Sequence, residues 1–106
     1  MSASAPFVEH VRDLLSPIGA LTDGKFFGGH AFKYRQVQFA MIMGSTLYFR
    51  VNEITRQEYE MKGSKPFTYS TRKGVVQVRK YYALPADLLE NQEHLLAWAR
   101  KAIDAE

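Results

Sequence analysis

The spacing of apolar residues changes along this chain, and these changes constrain the fold more than any other feature of the sequence. Apolar residues near the amino terminus recur at helical spacing as far as Pro17-Ile18-Gly19, which predicts a helix at about 5–16. Beyond residue 20 the pattern becomes strand-like, with segments at about 24–35, 37–43 and 46–51. The first half of the chain therefore predicts one helix followed by three strands.

Short polar or glycine-containing segments mark the expected turns between these strands. Arg35-Gln36 and Gly44-Ser45 separate the strands from one another, and Gly28-Gly29 interrupts the first of them. Because glycine adopts positive φ angles at little steric cost, we expect a bulge or a sharp bend at Gly28-Gly29.

The second half of the chain begins with a helix signal and continues with a hairpin. Thr55-Arg56-Gln57-Glu58 has the pattern of a capping box, which predicts a short helix that starts at the threonine and ends at Gly63. Strands from Phe67 to Ser70 and from Val75 to Ala83 are then expected to pair around Arg72-Lys73-Gly74.

A last helix at about 92–104 completes the predicted elements. Asn91 is placed to cap it, and Trp98 lies on its apolar stripe as an anchor to the core. The resulting order, α-β-β-β-α-β-β-α, predicts an α+β fold in which an antiparallel sheet is backed by helices. At this length, and without a repeat or a linker, residues 1–106 are expected to form a single domain.

Charged residues are distributed unevenly between the predicted elements. No carboxylate lies between Lys25 and Asn52 or between Met61 and Ala86, yet these stretches hold ten of the fourteen lysines and arginines. The acidic residues fall in or beside the predicted helices and helix ends. A sheet built from the acid-free stretches carries uncompensated positive charge and offers no paired carboxylates for acid–base catalysis. This pattern favours a binding module over an enzyme.

Alternation along the strands divides their side chains between the two faces of the sheet. The apolar residues of strand 46–51 and of the last strand are expected to face the core. The alternate positions carry tyrosines and arginines, which suit contacts with a protein or with nucleic acid. The candidate partner-binding residues are Tyr48, Arg50, Arg79 and Tyr81, with Lys33 or Arg35 beside them.

The sequence lacks the residues and motifs that several kinds of site require. It contains no cysteine, which excludes disulfides, thiolate nucleophiles and zinc sites of the cysteine type. His10, His30 and His94 stand apart, and no nucleophile elbow, Walker loop or dinucleotide fingerprint is present. We therefore expect no catalytic residue, metal or cofactor. The absence of cysteine fits a reducing cytoplasm, so a cytoplasmic protein is expected. The longest apolar run, Phe39 to Met43, is too short to span a bilayer, so we also expect a soluble protein that does not insert into membranes.

Five short segments, in order along almost the whole chain, carry a family resemblance. They are Lys25-Phe26-Phe27-Gly28-Gly29, Leu47-Tyr48-Phe49-Arg50-Val51, Gly63-Ser64-Lys65-Pro66-Phe67-Thr68-Tyr69, Tyr81-Tyr82-Ala83-Leu84-Pro85 and Leu95-Leu96-Ala97-Trp98-Ala99-Arg100-Lys101-Ala102-Ile103. Together they resemble the amino-terminal domain of the TfoX/Sxy competence regulators from about residue 6 to 104.

The resemblance implies a secretion-chaperone-like α+β fold, often dimeric, and a role in switching on genes for DNA uptake. It implies no enzymatic activity. Competence regulators of this family act as co-activators alongside the cyclic-AMP receptor protein and usually carry a second, carboxy-terminal helical domain. This chain stops before such a domain, so we expect a stand-alone amino-terminal module.

Two hypotheses about function follow. The first is a non-enzymatic regulatory or adaptor domain that contacts a protein partner, with a transcription regulator as the class implied by the resemblance, and that also self-associates as a homodimer. The alternative is direct nucleic-acid binding through the basic, tyrosine-bearing face of the sheet.

Overall fold

Six antiparallel strands form one sheet in the order β1-β2-β3-β4-β6-β5 in the computed structural model, which describes residues 3–105. The strands are β1 (Leu21–Phe26), β2 (Gly29–Tyr34), β3 (Val37–Met43), β4 (Thr46–Arg50), β5 (Pro66–Thr71) and β6 (Gly74–Ala83). The helices are α1 (Ala5–Leu15), α2 (Glu53–Met61) and α3 (Gln92–Asp104), with short 3₁₀ turns at Ser16–Ile18 and Ala86–Glu90. The predicted α+β class and the predicted succession of helices and strand groups are confirmed, with four strands between α1 and α2 where three were predicted.

The segment predicted as one interrupted strand at 24–35 is a hairpin of two strands. Phe27 and Gly28 form its two-residue turn with φ angles of 45° and 81°, and β1 pairs with β2 on either side. Two successive positive φ angles match the right-handed twist of a hairpin, which explains why the bend is a complete reversal. Because β1 starts at Leu21, Asp23 lies inside a strand and not beside a helix as predicted.

The start of α2 also differs from the prediction. Asn52 is the N-cap, and its side chain accepts hydrogen bonds from the backbone amides of Ile54 and Thr55. The Thr55 hydroxyl in turn accepts a hydrogen bond from the Asn52 amide at 2.9 Å, so Thr55 closes the capping box at its third position instead of opening it. The asparagine is the stronger cap because its carbonyl oxygen reaches two amides at once.

The main core lies between one face of the sheet and the helices. A row of paired residues crosses four strands on this face, from Phe32 through Ala40 and Phe49 to Tyr82, and every member is buried. Buried residues of α1 and α3 belong to the same cluster. Trp98 of α3 is partly buried and meets the ring of Tyr59 edge-on at 4.5 Å, which confirms its predicted role as an anchor.

The outer part of the β5–β6 hairpin extends beyond this core. Pro66 pairs with Tyr82 but Phe67 pairs with Val78, so Arg79, Lys80 and Tyr81 have no partner on β5. Such a bulge bends the strand that contains it. Beyond it, residues 68–77 are exposed, including Val75 with 69% of its surface accessible.

Candidate partner-binding surface

The face of the sheet opposite the main core carries a second, smaller apolar layer. Ala31, Met41 and Met43 lie on it and are buried, Met41 to 2% exposure, yet they are not part of the cluster packed against the helices. Cross-strand pairing extends this layer from Ala31 through Met41 and Tyr48 to Ala83. The sheet therefore buries apolar side chains on both faces.

Three of the four predicted site residues share this second face. Tyr48 and Arg50 alternate with the core residue Phe49 along β4, and Arg50 pairs directly with Tyr81 on β6. The ring of Tyr48 contacts that of Phe67 edge-on, with centroids 5.2 Å apart. This contact links the second face to the edge strand β5.

The side chain of Arg50 forms hydrogen bonds to the carboxy-terminal end of α3. Its Nε donates to the carbonyl oxygen of Ala102 at 3.1 Å, and its Nη2 donates to that of Ile103 at 2.8 Å. The last carbonyls of a helix lack partners within the helix and carry partial negative charge, so a guanidinium group stabilises them. Arg50 thus ties β4 to α3, and these two hydrogen bonds occupy part of its donor capacity.

The remaining predicted residues occupy different surroundings. The Tyr81 hydroxyl donates to the carbonyl oxygen of Gln38 at 3.3 Å, and burial raises its pKa. Arg79 lies in the bulge of β6 near the Tyr82 hydroxyl on the helix side, where it partly offsets the rise in the Tyr82 pKa caused by burial. The structure therefore brings Tyr48, Arg50 and Tyr81 together and leaves Arg79 apart.

Lys33 and Arg35 mark the far end of the second face. Lys33 pairs with Gln38 and is exposed, whereas Arg35 lies in the β2–β3 turn with its guanidinium 5.2 Å from the centre of the Tyr34 ring. In strand order β3 and β4 lie between β2 and β6, and the Tyr81 hydroxyl reaches as far as Gln38 of β3, the partner of Lys33. Lys33 and Arg35 extend the positive charge of the sheet without joining the predicted cluster.

The largest concentration of positive charge lies around β5 and β6. We call residues 62–80 the basic hairpin, because this segment contains six cationic residues and no acidic residue. They are Lys62, Lys65, Arg72, Lys73, Arg79 and Lys80. None of the six forms a salt bridge within residues 3–105, where the ion pairs instead involve Asp23 or Glu58.

Asp23 is neutralised by a neighbouring helix. Arg12 of α1 binds it through two nitrogens, each 2.9 Å from a carboxylate oxygen, and His30 Nε2 lies 2.7 Å from Oδ1. The hydrogen bond from Arg12 is the main cause that lowers the Asp23 pKa to about 2, with His30 acting in the same direction. No group of residues suited to hold a metal ion occurs within 3–105.

An apolar groove of about 560 Å³ lies between the basic hairpin and the neighbouring part of the sheet. It lies between the β1–β2 turn, the end of β3 and β5, and its apolar lining comes from Phe27, Met43, Phe67 and Tyr69. Phe27 is 86% exposed and Tyr69 is 47% exposed, and the rings of Phe67 and Tyr69 stack at 6.2 Å. Exposed aromatic side chains beside a polar rim are typical of interaction surfaces.

Sequence reasoning missed this groove as a candidate site. Phe67 and Tyr69 were predicted as strand residues, and their alternation inside an acid-free stretch was the available signal. Phe27 joins them only because the turn at Gly28 brings the β1–β2 hairpin to the same end of the sheet. That approach depends on strand order, which alternation does not specify.

Comparison with known protein families shows to which family the chain belongs. Residues 13–106 match the TfoX N-terminal domain. The chain belongs to the TfoX N-terminal domain family. This family is related to the competence regulators, and the match spans every strand of the sheet together with α2 and α3. A search of curated proteins found no significant match. No helix within residues 3–105 combines the length and the apolar character needed to cross a membrane.

Proposed function

We propose that this TfoX N-terminal domain is a non-enzymatic regulatory or adaptor domain that acts by contacting a protein partner. The observation that carries the proposal is the basic hairpin, where six cations without a salt bridge within residues 3–105 share one segment with exposed apolar side chains. A charged rim around an aromatic centre is a common arrangement in protein interfaces. The proposal assigns the contact to a cytoplasmic transcription regulator that controls genes for DNA uptake.

The geometry changes which residues carry the proposed contact. Arg50 and Tyr81 form internal hydrogen bonds, whereas Phe67 and Tyr69 stack on edge strand β5, which Lys65 precedes and Arg72-Lys73 follow. We therefore assign the anchor role to Phe67 and Tyr69 and the charged rim to Arg72 and Lys73. Tyr48 supports the anchor through its contact with Phe67.

Site-specific photo-crosslinking in the native host tests this assignment. A photoreactive phenylalanine analogue at Tyr69 is expected to capture a distinct protein, and the same analogue at His94 on the exposed side of α3 is the control. The double substitution Arg72→Glu/Lys73→Glu should abolish the Tyr69 product and reduce transcription of the DNA-uptake genes. Capture that is equal at both positions, or unaffected by the charge reversal, would contradict the proposal.

Direct nucleic-acid binding is the second candidate, and the stacked rings of Phe67 and Tyr69 on a strand followed by Arg72 and Lys73 favour it. It predicts that the logarithm of affinity for single-stranded DNA falls linearly with the logarithm of salt concentration, by about 0.7 per phosphate neutralised. Replacing Arg72 and Lys73 with alanine should flatten that slope. Undetectable binding at low salt would eliminate this candidate.

A further inference from the structure

Strand β5 is one of the two edges of the sheet, and within the described residues 3–105 it pairs only with β6. We propose that β5 accepts an extended, acidic segment of the partner protein as an additional strand. An apolar side chain of that segment would enter the groove beside Phe27 and Phe67. This inference rests on the proposed function, because it specifies how the same surface recognises its partner.

The backbone of β5 has hydrogen-bonding groups directed away from the sheet. Thr71 and Gly74 flank a two-residue turn and are paired, which directs the backbone groups of Thr71 toward β6. Since this direction alternates along a strand, Thr68 and Ser70 direct their N–H and C=O groups to the open edge. An extended peptide satisfies such groups by strand addition.

The side chains of β5 leave this edge accessible. All six residues from Pro66 to Thr71 are uncharged, whereas the opposite edge strand β1 carries Asp23 and Lys25. Charges and prolines on an edge strand discourage pairing with another chain. Pro66 at the first position of β5 removes only one donor, so the edge from Phe67 onward remains able to pair.

The charges that flank β5 specify an acidic partner. Lys65 precedes the strand and Arg72-Lys73 follows it, which places cations at both ends of the binding edge. Lys65 and Arg72 are seven positions apart, which is about 23 Å of extended chain. A matching segment therefore carries acidic residues about seven positions apart, with an apolar residue between them.

The same charges disfavour a second copy of this chain at the edge. In the antiparallel register that places the outward-facing Thr68 of one copy opposite Ser70 of the other, Lys65 of one copy lies opposite Lys73 of the other. Like charges directly opposite each other destabilise a strand pair. The occupant is thus a different protein of opposite charge.

Selection of peptides on the immobilised domain tests the proposed chemistry. The probe is a displayed library of random twelve-residue peptides, and the expected result is enrichment of sequences with two acidic positions flanking apolar ones. The affinity of the enriched peptide, measured by fluorescence anisotropy, should fall at least tenfold on Arg72→Glu/Lys73→Glu. Arg100→Glu on α3 is the control and should leave the affinity unchanged.

Two substitutions at Thr68 separate strand addition from simple charge attraction. Thr68→Pro removes an N–H that faces the open edge and leaves the bonds to β6 intact, so it should weaken peptide binding by about tenfold. Thr68→Val retains that N–H and should bind as the wild type does. Matching circular dichroism spectra for both variants confirm that β5 is still folded.

Several results would overturn the inference. Failure to enrich acidic peptides, or equal binding by Thr68→Pro and Thr68→Val, would exclude strand addition. A concentration-dependent dimer abolished by Thr68→Pro would assign the edge to a second copy, and tight binding of a twelve-nucleotide single strand that displaces the peptide would assign it to nucleic acid. If the Tyr69 crosslink persists in any of these cases, the adaptor function stands without this mode of recognition.

Discussion

Substitution of Arg50 by methionine tests whether this residue is structural or reserved for a partner. Arg50→Met keeps the apolar stem of the side chain but removes the two hydrogen bonds to the carbonyl oxygens of Ala102 and Ile103. A hydrogen bond that involves a charged group contributes about 1.5–3 kcal/mol, and a cation at a partly buried helix end contributes up to about 2 kcal/mol. Because water replaces part of these interactions, we expect the free energy of unfolding to fall by about 2–3 kcal/mol.

Thermal and urea denaturation, followed by circular dichroism and by the fluorescence of Trp98, measure this change. For a domain of this size the expected loss lowers Tm by roughly 8–15 °C. Arg72→Met at the exposed tip of the basic hairpin is the matched control and should stay within about 0.5 kcal/mol of the wild type. If Arg50→Met is as stable as this control, the contact with α3 contributes nothing to the free energy of unfolding, and Arg50 is again a candidate for binding a partner.

Three further predictions concern the packing and the ion pairs of the fold. Gly29→Ala should destabilise the domain by about 1–3 kcal/mol, because its new Cβ would lie 2.6 Å from the Met43 sulfur and against the Ile42 carbonyl oxygen of β3. In the control Gly24→Ala the new Cβ meets open space, so this variant should be nearly as stable as the wild type, and equal unfolding midpoints of the two variants in urea would refute this reasoning. Asp23→Asn should be less stable than the wild type at neutral pH, and the difference in the free energy of unfolding should shrink as the pH falls from about 5 to about 2, because the folded-state pKa of Asp23 is lowered to about 2. A difference that does not depend on pH would show that the carboxylate charge does not contribute to stability. Trp98→Ala should cost about 2–4 kcal/mol through lost packing on Tyr59, and a smaller loss for Trp98→Phe in the same denaturation assay would identify the aromatic ring as the cause.

Local sequence patterns predicted most elements of the fold because each pattern reflects a short-range cause. The helical spacing of α3, its cap at Asn91 and the glycine at position 74 in the β5–β6 hairpin are all confirmed. The prediction was wrong at the start of α2, where two possible caps lie three residues apart. There the choice between Asn52 and Thr55 depends on where the chain leaves β4.

The candidate site was less predictable because it depends on long-range geometry. Alternation correctly placed Tyr48, Arg50 and Tyr81 on one face, but it could not show that the last turn of α3 binds Arg50 through Ala102, fifty-two residues away. It also could not show the bulge that separates Arg79 from them. The charge pattern, by contrast, depends on composition alone, and it identified the segment that forms the basic hairpin.

The residues of β6 that have no partner on β5 divide the sheet into two parts of unequal stability. Phe67 to Val78 lie beyond this discontinuity with few buried neighbours, so this segment should open without unfolding the rest of the domain. Its amide protons are therefore expected to exchange with deuterium much faster than those of β3. A ligand that docks there would slow this exchange while leaving the slowest protons unaffected, and so would report occupancy of the hairpin independently of any change in global stability.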